Sequence, residues 1–167
     1  MHLSMLDLFH AKWTHMIHDE WMSSLLRDRP DLSKEQLQRT RDLMDAHVRD
    51  CLVTGFEPLI PALTLPDEND RHVLAAAIRC KADVIVTFNT KDFPSKDLQG
   101  FGIEALHPDE FLDCQLDLAP HVICTAAKRH RASLKRIPKT VDDYLDTLEA
   151  QGLVQTVSQL RNFAELI

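Results

Sequence analysis

Apolar residues recur at helical spacing over the first fifty positions, give way to a mixture of helix and strand signals, and return to purely helical spacing after Ala119. Leu3, Met5, Leu6 and Phe9 read as the tail of a helix, and Lys12-Trp13-Thr14 as a short strand. Asp19 to Arg29 predicts a helix with Trp21, Met22, Leu25 and Leu26 on its apolar face, stopped by Pro30. Ser33 with Gln36 three residues on is a capping box, opening a helix to about Asp50 whose inner side carries Leu37, Met44 and Val48.

The middle of the chain has a different character. Phe56 to Leu65, broken by Pro58 and Pro61, is irregular or strand-like. Asp67 or Asn69 can cap a helix from about Asp70 to Lys81, whose Val73–Ile78 centre is apolar all round and therefore deeply buried. Asp83 to Phe88 is a β-branched run suited to a buried parallel strand, Lys91 to Pro94 a loop, and Gly102 to Leu106 a second strand. Pro108 opens a helix at Asp109-Glu110-Phe111-Leu112. Three helices follow: Pro120 to Lys135, Val141 to Gln151 capped by Thr140, and Val154 to Leu166 after Gly152. This order predicts an α/β fold with a parallel sheet over residues 1–116 and a helical C-terminal extension over 117–167.

Composition narrows the classes. The chain has 167 residues, 44% of them hydrophobic and 27% charged, which excludes collagen-like and disordered proteins. No apolar run is long enough for a membrane helix. Cys51, Cys80, Cys114 and Cys124 form no zinc-type spacing, and with no secretory signal at the start they are expected to be reduced thiols of a cytoplasmic protein. A net charge of −7 argues against a DNA-coating protein, but leaves room for an acidic metal site or a local basic patch.

Acidic residues stand where strands are expected to end and helices to begin: Glu20, Asp70 and Asp92, the last with Asn89 close by. Carboxylates gathered at the carboxyl ends of parallel strands repel one another unless a cation lies between them. Hard ions such as Mg²⁺ favour such oxygen ligands and can activate water against a phosphodiester. Each acid also has an ordinary explanation. Asp67, Asn69 and Asp70 suit helix capping, and Glu20 complements a helix dipole.

The stretches Leu65-Pro66-Asp67-Glu68-Asn69-Asp70-Arg71-His72-Val73-Leu74-Ala75-Ala76-Ala77 and Asp83-Val84-Ile85-Val86-Thr87-Phe88-Asn89-Thr90-Lys91-Asp92-Phe93-Pro94 resemble the PIN domain family, in the branch that resembles the toxins of bacterial toxin–antitoxin pairs. Ile17-His18-Asp19-Glu20-Trp21 resembles that family's second-helix motif. The resemblance runs from about Leu3 to His107 and implies a three-layer α/β/α sandwich around a parallel sheet. It implies a Mg²⁺- or Mn²⁺-dependent endoribonuclease, with Glu20 and Asp70 as catalytic acids and metal ligands. Asp92 or Asn89 falls at the fourth acidic position, and Thr87 matches a supporting polar residue. Apart from the resemblance, His72 beside Asp70 reads either as a group that orients the site or, equally, as a surface histidine. RNA and an antitoxin protein are the implied partners, and a homodimer is familiar among such relatives.

The sequence departs from the family at its start, where members carry a strand with a first catalytic aspartate. Asp7 is the sole early acid and falls in a helical segment. Three accounts stand open: a shortened or mis-started enzyme, a partner chain that supplies the strand by β-addition, or a PIN-like scaffold that binds or regulates without cutting.

His15 and His18, three apart and near Glu20, invite a transition-metal reading, but a strand running into a loop there favours ordinary polar residues. Lys128 to Lys139 contains no acid, and on a helix Lys128, Arg131 and Lys135 share one face suited to RNA phosphates. A solvated helix end is the plainer account of the same charges.

Overall fold

A computed structural model describes residues 8–135 and 137–167. Most of the helix expected near Leu3, and Asp7, lie outside the described residues. Contacts divide the chain into two compact units, the first comprising His10–Ile85 and Asn89–Ala105. The second comprises Val86–Phe88 and Leu106–Ile167, with Leu8 and Phe9.

In the first unit, α1 (His15–Asp28) begins four residues before the apolar pattern predicts, because Thr14 caps it: its side chain accepts the Ile17 N–H at 3.1 Å. The expected strand at Lys12-Trp13-Thr14 is correspondingly reduced to one parallel bridge between Trp13 and Leu52. There the Trp13 N–H donates to the Cys51 carbonyl and the Val53 N–H to the Trp13 carbonyl, at 2.9 and 2.8 Å. Helix α2 (Lys34–His47) has both halves of the Ser33–Gln36 capping box and stops three residues short of Asp50. The proline-rich stretch after Phe56 is neither strand nor irregular but a 3₁₀ segment, Glu57–Ala62.

Helix α3 (Arg71–Cys80) buries Leu74, Ala75, Ala76 and Ala77. They pack with Phe56, Leu65, Ile85, Phe93, Leu98 and Ile103 in the core of this unit. Val73 and Ile78 are only half-buried, so the helix is one-sided rather than apolar all round. It ends at Lys81 in the left-handed conformation, φ 55°. Strand β1 (Val84–Val86), the short helix α4 (Ser95–Leu98) and strand β2 (Glu104–Leu106) follow. The two strands pair in parallel, with the Glu104 N–H donating to the Asp83 carbonyl at 2.9 Å. Both are shorter than the apolar runs that announce them.

The second unit holds α5 (Pro108–Leu118), α6 (Pro120–Ser133), α7 (Val141–Ala150) and α8 (Val154–Leu160). A 3₁₀ segment, Arg161–Leu166, takes the place of the last turns expected of α8. Leu116, Ile123, Cys124, Tyr144, Leu145, Val157 and Leu160 form its core. The boundary expected between residues 116 and 117 cuts through α5, which packs on α8 and α6. The reason is Asp109, 4% exposed, whose two carboxylate oxygens accept the N–H groups of Gln155 and Thr156 at 2.8 and 2.9 Å. These are donors of the first turn of α8, so a residue of α5 caps α8. The α/β character and the helical C-terminal part stand as the sequence predicts.

Candidate acidic metal site

Three carboxylates converge in the first unit. Asp67 begins the turn before α3, and its Oδ1 accepts the Asn69 N–H at 2.8 Å and the Asn69 side-chain amide at 3.0 Å. Asp70 occupies the position before the first residue of α3, yet its side chain makes no capping bond. Asp67 therefore does the capping that the sequence also allows Asp70, and the Asp70 carboxylate serves no helix end. Asp92 closes the 3₁₀ turn Thr90–Asp92 after β1 and accepts a short hydrogen bond from the Asn89 side-chain amide. One oxygen from each of Asp67, Asp70 and Asp92 lies within 4.8 Å of the others.

The electrostatics agree with the geometry. Burial, and then the charges of Asp67, Asp92 and Glu20, push the Asp70 carboxyl above its ordinary range, with His72 pulling the other way. Half-buried carboxylates this close form a hard oxygen donor set, and their mutual repulsion is what a divalent cation relieves. The residues present therefore fit Mg²⁺ or Mn²⁺.

Glu20 does not begin α1, as the sequence reading has it, but lies in its second turn. Its Oε1 pairs with His72 Nε2 at 2.7 Å. Helix α1 is held in turn by a polar network on its buried side. His18, fully buried, pairs through Nε2 with Asp45 of α2 at 2.9 Å, and the Trp13 indole donates to the same Asp45 oxygen at 2.7 Å. The Trp21 indole donates to His18 Nδ1 at 2.9 Å. An indole N–H only donates, so His18 Nδ1 accepts and the proton sits on Nε2. Burial tends to raise the Asp45 carboxyl, but the hydrogen bonds from Trp13 and His18 outweigh it and leave it below the usual range. His15 and His18 do stand one turn apart on a helix, contrary to the expected strand and loop. Both His18 nitrogens are nevertheless engaged, and His15 Nδ1 accepts from Arg41 at 2.6 Å, so the pair has a structural use.

The remaining candidates lie in the second unit. Thr87 follows β1, and its N–H donates to the Leu106 carbonyl at 3.0 Å. Lys128 is exposed on α6. Lys135 is exposed too, but α6 ends at Ser133, so the three-residue cationic face expected of one helix is not formed. Arg131 is turned inward: Nη1 donates to the Lys139 carbonyl at 2.9 Å, and Nε and Nη2 to the Ile167 carbonyl at 3.3 and 3.1 Å. Its guanidinium ties the chain just before α7 and the chain end after α8 to α6.

Asp67 is the one member of the cluster not expected from the sequence to be a ligand, because its place before a helix already explains it as a cap. The signal was its spacing from Asp70: three residues through a single tight turn bring two carboxylates together.

Two comparisons bear on this chain. A family model described as the VapC50 C-terminal domain matches residues 108–162, the span of α5 to α8. "Putative ribonuclease VapC50" of Mycobacterium tuberculosis (strain ATCC 25618 / H37Rv) is 55% identical over 64 residues, which cover 38% of this chain and 37% of that protein. The chain thus matches well under half the length of this curated relative. No solved structure matches. Over these stretches the sequence is similar to VapC50 proteins, and its C-terminal helices follow the pattern of their C-terminal domain.

Proposed function

We propose that this protein is a metal-dependent endoribonuclease of the PIN type, the toxin member of a toxin–antitoxin pair. The observation that carries the reading is the convergence of Asp67, Asp70 and Asp92, with an Asp70 carboxylate that caps nothing and is crowded by its neighbours. The similarity to a protein named as a putative ribonuclease supports RNA as the substrate class, and the resemblance to toxins of toxin–antitoxin pairs supports an antitoxin as the protein partner.

Asp67, Asp70 and Asp92 are the groups that would hold Mg²⁺ or Mn²⁺. When bound, such an ion supplies a water of lowered pKa and neutralises charge on a phosphodiester. The chain's own residues keep the donors in place. Asn89 fixes one oxygen of Asp92, Asn69 fixes one oxygen of Asp67, and Glu20 adds a fourth acidic group paired with His72. Lys128 and Lys135, exposed in the helical unit, are cations that an RNA backbone could meet there, a contact that carries no sequence preference.

The test is cleavage of single-stranded RNA and of DNA of the same sequence by the purified protein, with Mn²⁺ and with EDTA. Mn²⁺-dependent cleavage of RNA, abolished by Asp70→Asn, is expected. Equal cleavage in EDTA contradicts the proposal, and folded protein that cuts neither nucleic acid favours a scaffold that binds without cutting.

A further inference from the structure

His72 is a buried imidazole paired through one ring nitrogen. It is 2% exposed, Nε2 meets Glu20 Oε1 at 2.7 Å, and Nδ1 is buried with no hydrogen-bond partner among the described residues. A carboxylate oxygen accepts here, so the proton of this contact belongs to Nε2, and Nδ1 is left without a partner whether it stands as donor or acceptor. For the fold alone, such a group is a poor choice. An apolar side chain of similar size on the buried face of α3 would leave no polar atom orphaned.

The benefit lies on the other partner. The Glu20 side chain is 52% exposed and has several rotatable bonds, so without an anchor it samples many orientations. His72 is rigid by comparison, set in the first turn of α3 two residues after Asp70 and next to the buried Leu74–Ala77 run. We propose that His72 is a positioning residue, which holds Glu20 as the fourth acidic group of the Asp67–Asp70–Asp92 site. This rests on the cation reading above and adds to it which group orders the outlying ligand. Outer-shell partners of this kind typically change metal affinity by about 10–100-fold when removed.

The test uses the metal-free full chain, with Mn²⁺ alone titrated into wild type, His72→Leu and His72→Gln by calorimetry, and with thermal melting of all three. The Gln amide keeps an N–H donor near the position of Nε2. We expect His72→Leu to bind Mn²⁺ about tenfold more weakly while melting no lower than wild type, and His72→Gln to stay within about threefold. Nitrogen-15 spectra of the wild type at mildly alkaline pH should show the Nε2-protonated tautomer, a readout that needs no variant. His72→Leu that binds as wild type does, or that melts lower with His72→Gln failing equally, overturns the inference, as does the opposite tautomer. Wild type that binds no Mn²⁺ overturns the cation reading itself, and the inference falls with it.

Discussion

Asp70 and Asp109 are the same residue at the same kind of place, the start of a helix, and their surroundings drive them in opposite directions. Asp109 is the more buried, and burial alone would raise its carboxyl. The N–H groups of Thr156 and Gln155 and the Thr156 hydroxyl environment outweigh that and lower it. Asp70 meets no N–H donor among the described residues, so its partial burial goes uncompensated and, with the charges of three other acids, raises it. The helical unit uses its acid to fix a helix end. The α/β unit holds acids together against their repulsion, which makes sense where something else is to be bound.

The strongest way to break this comparison is to remove the charge at each position in turn. Asp70→Asn should lower Mn²⁺-dependent RNA cleavage about a thousandfold, roughly 4 kcal/mol of barrier, with unchanged far-ultraviolet circular dichroism. Asp109→Ala should destabilise the helical unit by about 3 kcal/mol, because two first-turn N–H groups of α8 lose their acceptor. Tyr144, the chain's single tyrosine, lies in that unit and both tryptophans lie in the other, so tyrosine fluorescence in urea reads the effect separately.

The pH dependences should also oppose each other. Asp109 has a lowered native pKa, so its contribution is present above its ordinary value of 3.8 and is lost as pH falls through the native value. Asp70 has a raised native pKa, so its ionisation removes stability as pH rises through that value. A finer test follows at a side-chain hydrogen bond of the helical unit. Burial pushes the Tyr144 hydroxyl up to about 12, and it hydrogen-bonds His130 Nδ1 at 3.0 Å. Tyr144→Phe should cost about 1 kcal/mol in the same denaturation series. The smallest expected change is a gain: Asp70→Asn should stabilise the metal-free protein by about 0.5 kcal/mol at neutral pH, modest because solvent screens half-exposed charges, and not at all well below pH 3.8.

Local signals were legible where chemistry and position coincide. The Ser33–Gln36 box, the Thr140 cap and the burial of Leu74 to Ala77 follow from residue type alone. What escaped was set by partners distant in the chain. The early start of α1 depends on Thr14 and on His18 finding Asp45, and α5 joins the helical unit because Asp109 reaches α8, 46 and 47 residues away. Arg131 read as a free cation because no local pattern announces the Ile167 and Lys139 carbonyls it meets. At the site, Asp70 and Asp92 were visible as acids near strand ends. The division of labour between Asp67 and Asp70 was not, since either can cap a helix and only the turn's geometry decides.

The most direct measurement is a carbon-13 titration of the Asp70 carboxyl in metal-free protein, repeated with Mg²⁺. The account predicts an apparent pKa above the ordinary 3.8 without the ion and a clear fall when it is added, because a cation among the three carboxylates favours their ionised forms. An Asp70 that titrates at or below 3.8 and does not respond to Mg²⁺ would contradict it.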